Sequence, residues 1–233
     1  MSAATHSLKR EAAIVLAADA THEFGSLALA RGDDLLEELP LHSPSGFAHV
    51  LFGELDALLR RHALKAGDVD CFAASSGPGS FTGVRVGLAF VKGLAEALGK
   101  PAVAVSNLRA LASLGSAALR AAVLDARRGE VYGAVYDSAG RPIAPETVMQ
   151  LPAWIERLPD GDLEFVSTDF GPLRAALAGT RFESARIVAA PRALAGCIAR
   201  IALATLMRGE AADPAALDAN YVRRSDAELH WKE

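Results

Sequence analysis

The sequence contains little cysteine. Only Cys71 and Cys197 occur among 233 residues, and each lies inside an apolar run. They form neither a Cys-x-x-Cys redox pair nor a zinc-ligand spacing, so a disulfide framework and a cysteine-based metal site are excluded. We expect both to be small buried side chains, and this cysteine usage fits a reducing compartment, the cytoplasm.

The chain also lacks long apolar stretches and an excess of positive charge. No run of about 18 apolar residues is present, so we expect no transmembrane helix and no membrane partner. The net charge is −4, whereas a protein that holds nucleic acid by itself usually has a basic surface. Arg127-Arg128 and Arg223-Arg224 are local exceptions, predicted to be solvated loop residues. A hydrophobic content of 51% excludes extended disorder.

Histidine patterns that hold catalytic metals are absent. No two of the six histidines stand at i and i+4, so a His-x-x-x-His or His-Glu-x-x-His zinc site is excluded. No Gly-x-Ser-x-Gly nucleophile motif is present either. Metallopeptidase chemistry and serine- or cysteine-nucleophile chemistry therefore lack support, and we predict no metal site and no catalytic residue.

Apolar periodicity divides the first half of the chain into strands and helices. Residues 12–18 form a continuous apolar run of strand length that ends at Asp19, and hairpin-connected strands are predicted at 25–30 and 34–41. The following elements are a helix over 43–62, a strand over 69–75, a helix over 83–98, a strand over 101–105 and a short helix up to 113.

The second half repeats the opening pattern. An apolar strand over 120–124 ends at Asp125. It is followed by strands at 130–137 and 142–148, a helix over 151–157, a strand over 164–168 and a helix over 191–207. This repeated order predicts an α/β protein with two similar halves, each a mixed sheet with helices. The predicted divisions are a disordered leader (1–11), an N-terminal half (12–113) and a C-terminal half with a tail (120–233).

A glycine-rich loop over residues 77–83 (GPGSFTG) joins a predicted strand to a predicted helix. Glycines let a backbone approach a ligand, and free N–H groups at a helix start favour anions. The spacing matches neither a dinucleotide fingerprint nor a P-loop. A phosphate-binding loop and a purely structural tight turn therefore both stay open. The residues concerned are Gly77, Gly79, Ser80, Thr82 and Gly83.

Asp19 and Asp125 end strands at matching places in the two halves. In a duplicated fold such carboxylates can face each other across a cleft and hold a metal–nucleotide. Alternatively, each carboxylate caps a turn through its own side chain. The sequence does not separate these two interpretations.

Three segments resemble the signatures of the bacterial TsaB (YeaZ) family. They are residues 75–89 (SSGPGSFTGVRVGLA), residues 125–132 (DARRGEVY) and residues 220–224 (NYVRR). They lie in the order found in that family, and the resemblance covers nearly the whole chain from residue 12 on. It implies an actin/Hsp70/sugar-kinase-like (ribonuclease H-like) fold of two duplicated halves.

The resemblance also implies a function. Members of the family take part in making N6-threonylcarbamoyladenosine at position 37 of tRNAs that read codons starting with A. Such a protein is a non-catalytic partner of the TsaD-type transferase, which carries the active site, and the ATPase TsaE joins them. It implies a heterodimer with TsaD, a homodimer when alone, contact with tRNA only through the complex, and no cofactor beyond weak nucleotide binding. The alternative is a small-molecule kinase or weak ATPase of the same superfold.

The sequence departs from the family pattern at several positions. Ala20 stands where the family has Thr after the first strand, and Ser76 precedes the Gly-Pro-Gly segment. Gly46-Phe47-Ala48 replaces a Glu-His-Ser/Thr stretch, and residues 167–171 replace a glycine-rich turn. These departures weaken the expectation that the chain itself binds or hydrolyses ATP.

The helix over 83–98 predicts a partner surface. At about 100° per residue, one face of this helix points to the sheet and carries Val84, Leu88, Val91, Ala95 and Leu98. Val86 and Phe90 fall away from that face, and Phe52 and Leu59 lie at the edge of the preceding helix. We expect these four residues to form an exposed apolar patch that binds the partner. The alternative is that a loop of the same chain covers Val86 and Phe90.

Overall fold

The computed structural model describes residues 9–169 and 171–223. Residues 1–8 of the predicted leader and the predicted tail from residue 224 on lie outside these ranges. The prediction of disorder is wrong for the end of the leader, because Arg10–Ala12 form a short 3₁₀ helix and Arg10 pairs with Asp33. No helix among the described residues combines the length and apolar character needed to cross a membrane.

Five strands of the first half form one mixed sheet. They are β1 (Ile14–Asp19), β2 (Phe24–Arg31), β3 (Asp34–His42), β4 (Cys71–Gly77) and β5 (Ala102–Ser106). Their order is β3-β2-β1-β4-β5, with β1 antiparallel to β2 and parallel to β4. Every residue of β1 is buried, which explains its continuous apolar run, since a central strand has both faces covered.

The second half builds a sheet of the same topology. Its strands are β6 (Leu119–Arg127), β7 (Glu130–Asp137), β8 (Thr147–Gln150), β9 (Leu163–Ser167) and β10 (Ile187–Ala189). Their order is β10-β9-β6-β7-β8, with β6 antiparallel to β7 and parallel to β9. β6 therefore takes the place that β1 has in the first sheet, and the predicted duplication of the α/β fold is confirmed.

In the part of the chain that the structure describes, six α-helices cover the two sheets. They are α1 (Leu51–Arg61), α2 (Phe81–Leu98), α3 (Asn107–Ala112), α4 (Leu151–Glu156), α5 (Gly171–Leu177) and α6 (Ala195–Met207). α1 and α2 pack outside the first sheet and α4 and α5 outside the second, while α3 and α6 lie between the sheets. α6 packs on β1, β2 and β4, and α3 packs on β6 and β7. One helix of each half thus packs on the sheet of the other half, so the two halves share one central core.

Both cysteines lie in this central core, as predicted. Burial raises the pKa of the Cys71 thiol to about 12. Burial also raises the pKa of the Cys197 thiol. Neither is a reactive thiolate at neutral pH, because the thiolate is the nucleophilic form.

Some predicted elements have other boundaries in the structure. α1 begins at Leu51, not at residue 43, because the chain first makes a turn in which the Ser43 hydroxyl donates to the Gly46 carbonyl. β8 begins at Thr147, after Pro142 and Pro145, which cannot donate to a strand ladder. The sequence pattern did not predict α5 or β10, which have only seven and three residues.

The predicted sheet face of α2 is buried, but the predicted exposed patch is wrong in part. Phe90 is only 5% exposed and Leu59 also 5%, while Val86 is half-buried. Phe90 is buried because α1 packs beside α2. The Phe52 ring of α1 stands edge-on to the Phe90 ring, with 5.0 Å between the ring centres. A neighbouring helix, and not a loop, therefore covers Phe90. Of the four residues, only Phe52 is largely exposed, at 61%.

Candidate functional site

A cleft of about 620 Å³ opens between the two halves at the carboxyl ends of β1, β6 and β9. Open α/β sheets usually bind ligands at this end of their strands. Six of the seven residues predicted as a degenerate nucleotide site line the cleft: Asp19, Gly79, Ser80, Thr82, Gly83 and Asp125. The seventh, Gly77, does not; a Cβ there would lie 3.3 Å from the Asn220 carbonyl oxygen, outside the cleft lining.

Asp19 is a buried carboxylate at the base of the cleft. Its Oδ1 accepts hydrogen bonds from the Thr21 amide at 3.0 Å and from the Thr21 hydroxyl at 2.7 Å. Burial raises the pKa of Asp19, although the nearby His22 and the bonds from Thr21 act in the opposite direction. The Thr21 hydroxyl thus reaches Asp19 even though the family's usual Thr is replaced by Ala20.

A buried polar network continues from Thr21 to the first residue of α3. The Asn107 side-chain amide donates to the Thr21 hydroxyl and to the Pro78 carbonyl, the latter at 3.2 Å. The Ser75 hydroxyl in turn donates to Asn107 Oδ1. Because these groups satisfy one another, the network ties β1, β4 and α3 together. The sequence pattern did not assign this role to Asn107, a polar residue at the start of the short helix predicted up to residue 113.

The glycine-rich loop packs against the turn that follows β1. A Cβ at Gly79 would lie 2.7 Å from the Thr21 carbonyl oxygen, and a Cβ at Gly83 would lie 2.1 Å from the Ala20 carbonyl oxygen. The Ser80 amide donates to the Thr21 carbonyl at 2.6 Å, and the Ser80 hydroxyl caps the Gly83 amide. The glycines therefore permit a close approach within the chain, and these two amides are used there.

Asp125 repeats the turn geometry of Asp19 at the surface. Its Oδ1 accepts a hydrogen bond from the Arg127 amide at 2.7 Å, as Asp19 accepts one from the Thr21 amide. Unlike Asp19, Asp125 is exposed. Both carboxylates therefore cap turns while facing one cleft. No three His, Cys, Asp or Glu side chains in residues 9–169 and 171–223 come together as a metal site.

The hairpin between β6 and β7 has a strained backbone. Arg127, Arg128 and Gly129 have φ values of 66°, 58° and 76°. Left-handed backbone costs about 1–3 kcal/mol for a residue other than glycine. Arg127 also lines the cleft, where Arg192 stacks on the Phe24 ring with 4.4 Å between the guanidinium carbon and the ring centre.

The segment over residues 220–223 bridges the two halves. The Asn220 amide donates to the Ser76 carbonyl of β4 at 2.8 Å, and its side chain donates to Glu146 of the second half. The Arg223 guanidinium donates to the Ala126 carbonyl at 2.9 Å and pairs with Glu130. Arg223 is therefore a bridging residue at the cleft wall, and the prediction that it is merely solvated is wrong. Arg224 lies outside the described residues.

The outer surface of α1 and α2 combines one large aromatic side chain with small residues. We call it the α1–α2 face and define it by Phe52, Gly53, Ala89, Gly93 and Ala97, all of which are exposed. A Cβ placed on Gly53 or Gly93 would meet no atom of the chain within 4 Å. The packing of the chain itself therefore does not require glycine at either position.

Comparisons with known proteins agree with the fold and with the motifs. A family model described as TsaD, tRNA N6-adenosine threonylcarbamoyltransferase, matches residues 42–195. The Bacillus subtilis (strain 168) tRNA threonylcarbamoyladenosine biosynthesis protein TsaB is 31% identical over 153 residues, which cover 64% of this chain and 67% of that protein. The solved structure of YeaZ from Pseudomonas aeruginosa is 28% identical with a TM-score of 0.74, covering 90% of this chain and 99% of that chain.

A more distant structure supports the fold alone. Component A of the (R)-2-hydroxyglutaryl-CoA dehydratase of Acidaminococcus fermentans has a TM-score of 0.53 at 10% identity, covering 83% of this chain and 99% of that chain. Together with the two sheets of equal topology, these neighbours confirm the predicted duplicated actin/Hsp70/sugar-kinase-like α/β fold.

Proposed function

The chain belongs to the TsaB (YeaZ) family and so has an accessory role in tRNA threonylcarbamoyladenosine biosynthesis, and from this premise we propose that it is a non-catalytic subunit. In this proposal it supports the TsaD-type transferase that makes N6-threonylcarbamoyladenosine at position 37 of tRNAs reading codons starting with A. The TsaE-type ATPase completes the complex, whose place of action is the cytoplasm.

The observation that carries the non-catalytic role is the internal use of the glycine-rich loop. An active phosphate site needs free backbone amides that point at the ligand. Here the Ser80 amide donates to the Thr21 carbonyl and the Gly83 amide donates to the Ser80 hydroxyl. The Asp19 carboxylate accepts a hydrogen bond from the Thr21 hydroxyl. We therefore propose weak nucleotide binding at most, no resident cofactor and no ATP hydrolysis by this chain.

The α1–α2 face supports the proposal of a partner. A glycine inside a helix costs roughly 0.5–1 kcal/mol relative to alanine, and the open surroundings of Gly53 and Gly93 give the isolated chain no compensation. A partner helix that packs closely over these positions would supply it. Phe52, exposed at their side, is then the aromatic anchor of the interface. We propose that this face binds the TsaD-type subunit, and a second copy of the chain when that subunit is absent.

A reconstituted modification assay tests the proposal. The components are this chain, the TsaD-type and TsaE-type proteins of the same organism, the threonylcarbamoyl donor, ATP and an unmodified tRNA that reads codons starting with A. Radiolabelled threonine incorporated into tRNA is the readout. We expect incorporation that needs both this chain and the TsaD-type protein, and co-elution of these two proteins in size-exclusion chromatography.

Two results would contradict the proposal. Full incorporation without this chain would remove its accessory role. Steady ATP turnover by this chain alone, with or without a panel of sugars, that disappears in Asp19→Ala would instead support a weak ATPase or a small-molecule kinase. An unmodified tRNA that reads other codons serves as the substrate control.

A further inference from the structure

Two arginines occupy backbone positions that favour other residues. Arg127 and Glu130 stand opposite each other in the ladder between β6 and β7, so Arg128 and Gly129 form a two-residue turn. Such turns with φ above zero at both central positions favour Asn-Gly or Asp-Gly, yet Arg128 has a φ of 58°. Arg127, with a φ of 66°, follows an irregularity in the strand register. The local geometry therefore does not explain why these two residues are arginines.

These arginines are also uncompensated in charge. In the part of the chain that the structure describes, no carboxylate comes within ion-pair distance of the guanidinium groups of Arg127, Arg128 or Arg192. Arg127 and Arg192 line the cleft, and Arg128 is exposed beside it. Four carboxylate side chains also line the cleft: Asp19, Glu23, Asp125 and Asp169. None of them forms an ion pair with the three guanidinium groups in the described part of the chain, so the planar forks of these groups stay free to bind phosphate oxygens.

The surroundings favour a ligand longer than a mononucleotide. Arg128 is not part of the cleft lining, so a ligand confined to the cleft would not use it. Tyr221 and Phe81 form a partly exposed aromatic pair with ring centres 4.9 Å apart, and the Arg85 guanidinium covers one face of the Phe81 ring. The segment that carries Tyr221 reaches the hairpin through Arg223, which donates to the carbonyl just before Arg127. Exposed aromatic rings beside arginines suit single-stranded nucleic acid, whose bases stack while its phosphates pair.

From these observations we infer that Arg127, Arg128 and Arg192 bind backbone phosphates of tRNA at the mouth of the cleft. The identity of the RNA rests on the proposed function. Arg127 lines the cleft from the left-handed hairpin, and Arg128 is the exposed residue that follows it. Because the net charge of the chain is −4, this site alone gives weak binding at physiological salt and contributes mainly when the partner also holds the tRNA.

A salt titration of the isolated chain tests the inference without the partner. Fluorescently labelled unmodified tRNA is titrated with wild type and with Arg127→Asn/Arg128→Asn at several salt concentrations from about 50 mM upward. Loss of two phosphate contacts should lower the affinity about tenfold at the lowest salt. It should also reduce the slope of log affinity against log salt by about 1.4, at about 0.7 for each contact to a single strand. Unchanged affinity, or a wild type that does not bind at low salt, would overturn the inference.

A matched control variant and a stability measurement exclude a structural explanation. Arg157→Gln/Arg174→Gln removes the same charge from exposed positions outside the second sheet, and tRNA affinity should change less than twofold. Asparagine tolerates the left-handed region, so Arg127→Asn/Arg128→Asn should keep or raise the melting temperature. A clear fall in melting temperature together with the lost affinity would assign the arginines to folding and not to tRNA.

Two further arms separate the sources of phosphate and the two proposals. ATP is titrated against the same proteins; ATP affinity above that for tRNA, lost in Arg127→Asn/Arg128→Asn, would assign the site to a nucleotide and overturn the inference. Size-exclusion chromatography with the TsaD-type protein then tests the proposed function separately. A variant that assembles with this partner but lowers the tRNA affinity of the complex supports both. A wild type that binds tRNA but not the partner contradicts only the proposed function.

Discussion

The turns after β1 and β6 occupy equivalent places in the two halves but have opposite environments. After β1, Asp19 and Thr21 are buried, and the glycine-rich loop packs onto their backbone. After β6, Asp125 and Arg127 are exposed, and the backbone is left-handed. Both turns share the same carboxylate-to-amide bond two residues on. The two halves therefore share the same turn. It is buried and structural in the first half, and it is exposed at the proposed ligand site in the second half.

The outer helices of the two halves differ in length and in the exposure of their aromatic side chains. α1 and α2 have 11 and 18 residues, whereas α4 and α5 have six and seven. Phe52 is exposed on the longer pair, while Trp154 on the shorter pair is buried against the sheet. The first half thus has the longer outer helices and an exposed aromatic side chain on them, and the second half contributes Arg127, Arg192 and Arg223 to the cleft lining. Partner binding is expected on the first half and anion binding on the second.

The largest effect should separate core from interface on the first half. Phe90→Asp places a carboxylate where 5% of the side chain is exposed, and it should cost about 4 kcal/mol or more, enough to unfold the chain. Phe52→Asp should leave the melting temperature within a few degrees and abolish co-elution with the TsaD-type protein. Thermal unfolding and size-exclusion chromatography measure the two effects.

The short helices of the second half offer the control for this experiment. Arg174→Asp on α5, also exposed, should change neither folding nor co-elution. If Phe52→Asp still co-elutes with the partner, the interface lies elsewhere. If Phe90→Asp remains folded, the packing of α1 on α2 is not as the structure has it.

A glycine substitution in each turn should give the next largest difference. In Gly83→Ala the new Cβ would come within 2.1 Å of the Ala20 carbonyl oxygen, so α2 must move and about 3 kcal/mol should be lost. In Gly129→Ala the nearest contact is the Gln150 side chain at 3.1 Å, so backbone strain of about 1 kcal/mol remains the main cost. Urea unfolding measures both. Equal losses would mean that the two turns are packed alike.

Gly93→Ala provides the matched control within α2. Its Cβ meets no atom of the chain within 4 Å, so this variant should gain roughly 0.5–1 kcal/mol from alanine's helix propensity. A loss of stability there would show that glycine removal in this helix is harmful for reasons other than contact with Ala20.

Removing the two carboxylates should give a smaller difference. Asp19→Ala leaves buried donors of Thr21 without an acceptor, so it should cost about 2 kcal/mol. Asp125→Ala exposes the Arg127 amide to water and should cost about 0.5 kcal/mol or less. Denaturant midpoints at neutral pH check both values. A larger loss in Asp125→Ala than in Asp19→Ala would reverse the assignment of the structural turn.

The pH dependence of Asp19 should be the smallest effect. Burial raises its pKa above the ordinary value of 3.8, so the folded state binds this proton more tightly than the unfolded state. Its contribution to stability is therefore greatest at low pH and falls as pH rises from that ordinary value through the folded pKa. Asp19→Asn does not titrate, so its melting temperature should improve relative to wild type as the pH rises above about 4. The opposite trend would mean that the bonds from Thr21 outweigh burial.

The spacing of apolar residues predicted most of the strands, the duplication and the sheet-facing side of α2, but not the three-residue β10. The predicted strand over 130–137 has the bounds of β7, Glu130–Asp137. The apolar run before Asp19 also corresponds to the buried β1. These features depend on local chain geometry: side chains repeat every two residues in a strand and about every 3.6 in a helix. Most of the predicted residues that line the cleft lie in two short segments that resemble the family signatures, residues 75–89 and 125–132.

Which apolar residues are exposed and which charged groups pair depends on tertiary packing. A helical wheel shows the sheet side of α2 but not the neighbour that covers Phe90, because α1 comes from a different part of the sequence. Likewise Arg127, Arg192 and Arg223 lie far apart in the sequence, and the folding of the second half brings all three to the lining of one cleft. Burial and charge compensation depend on such long-range contacts, which residue spacing along one chain does not record.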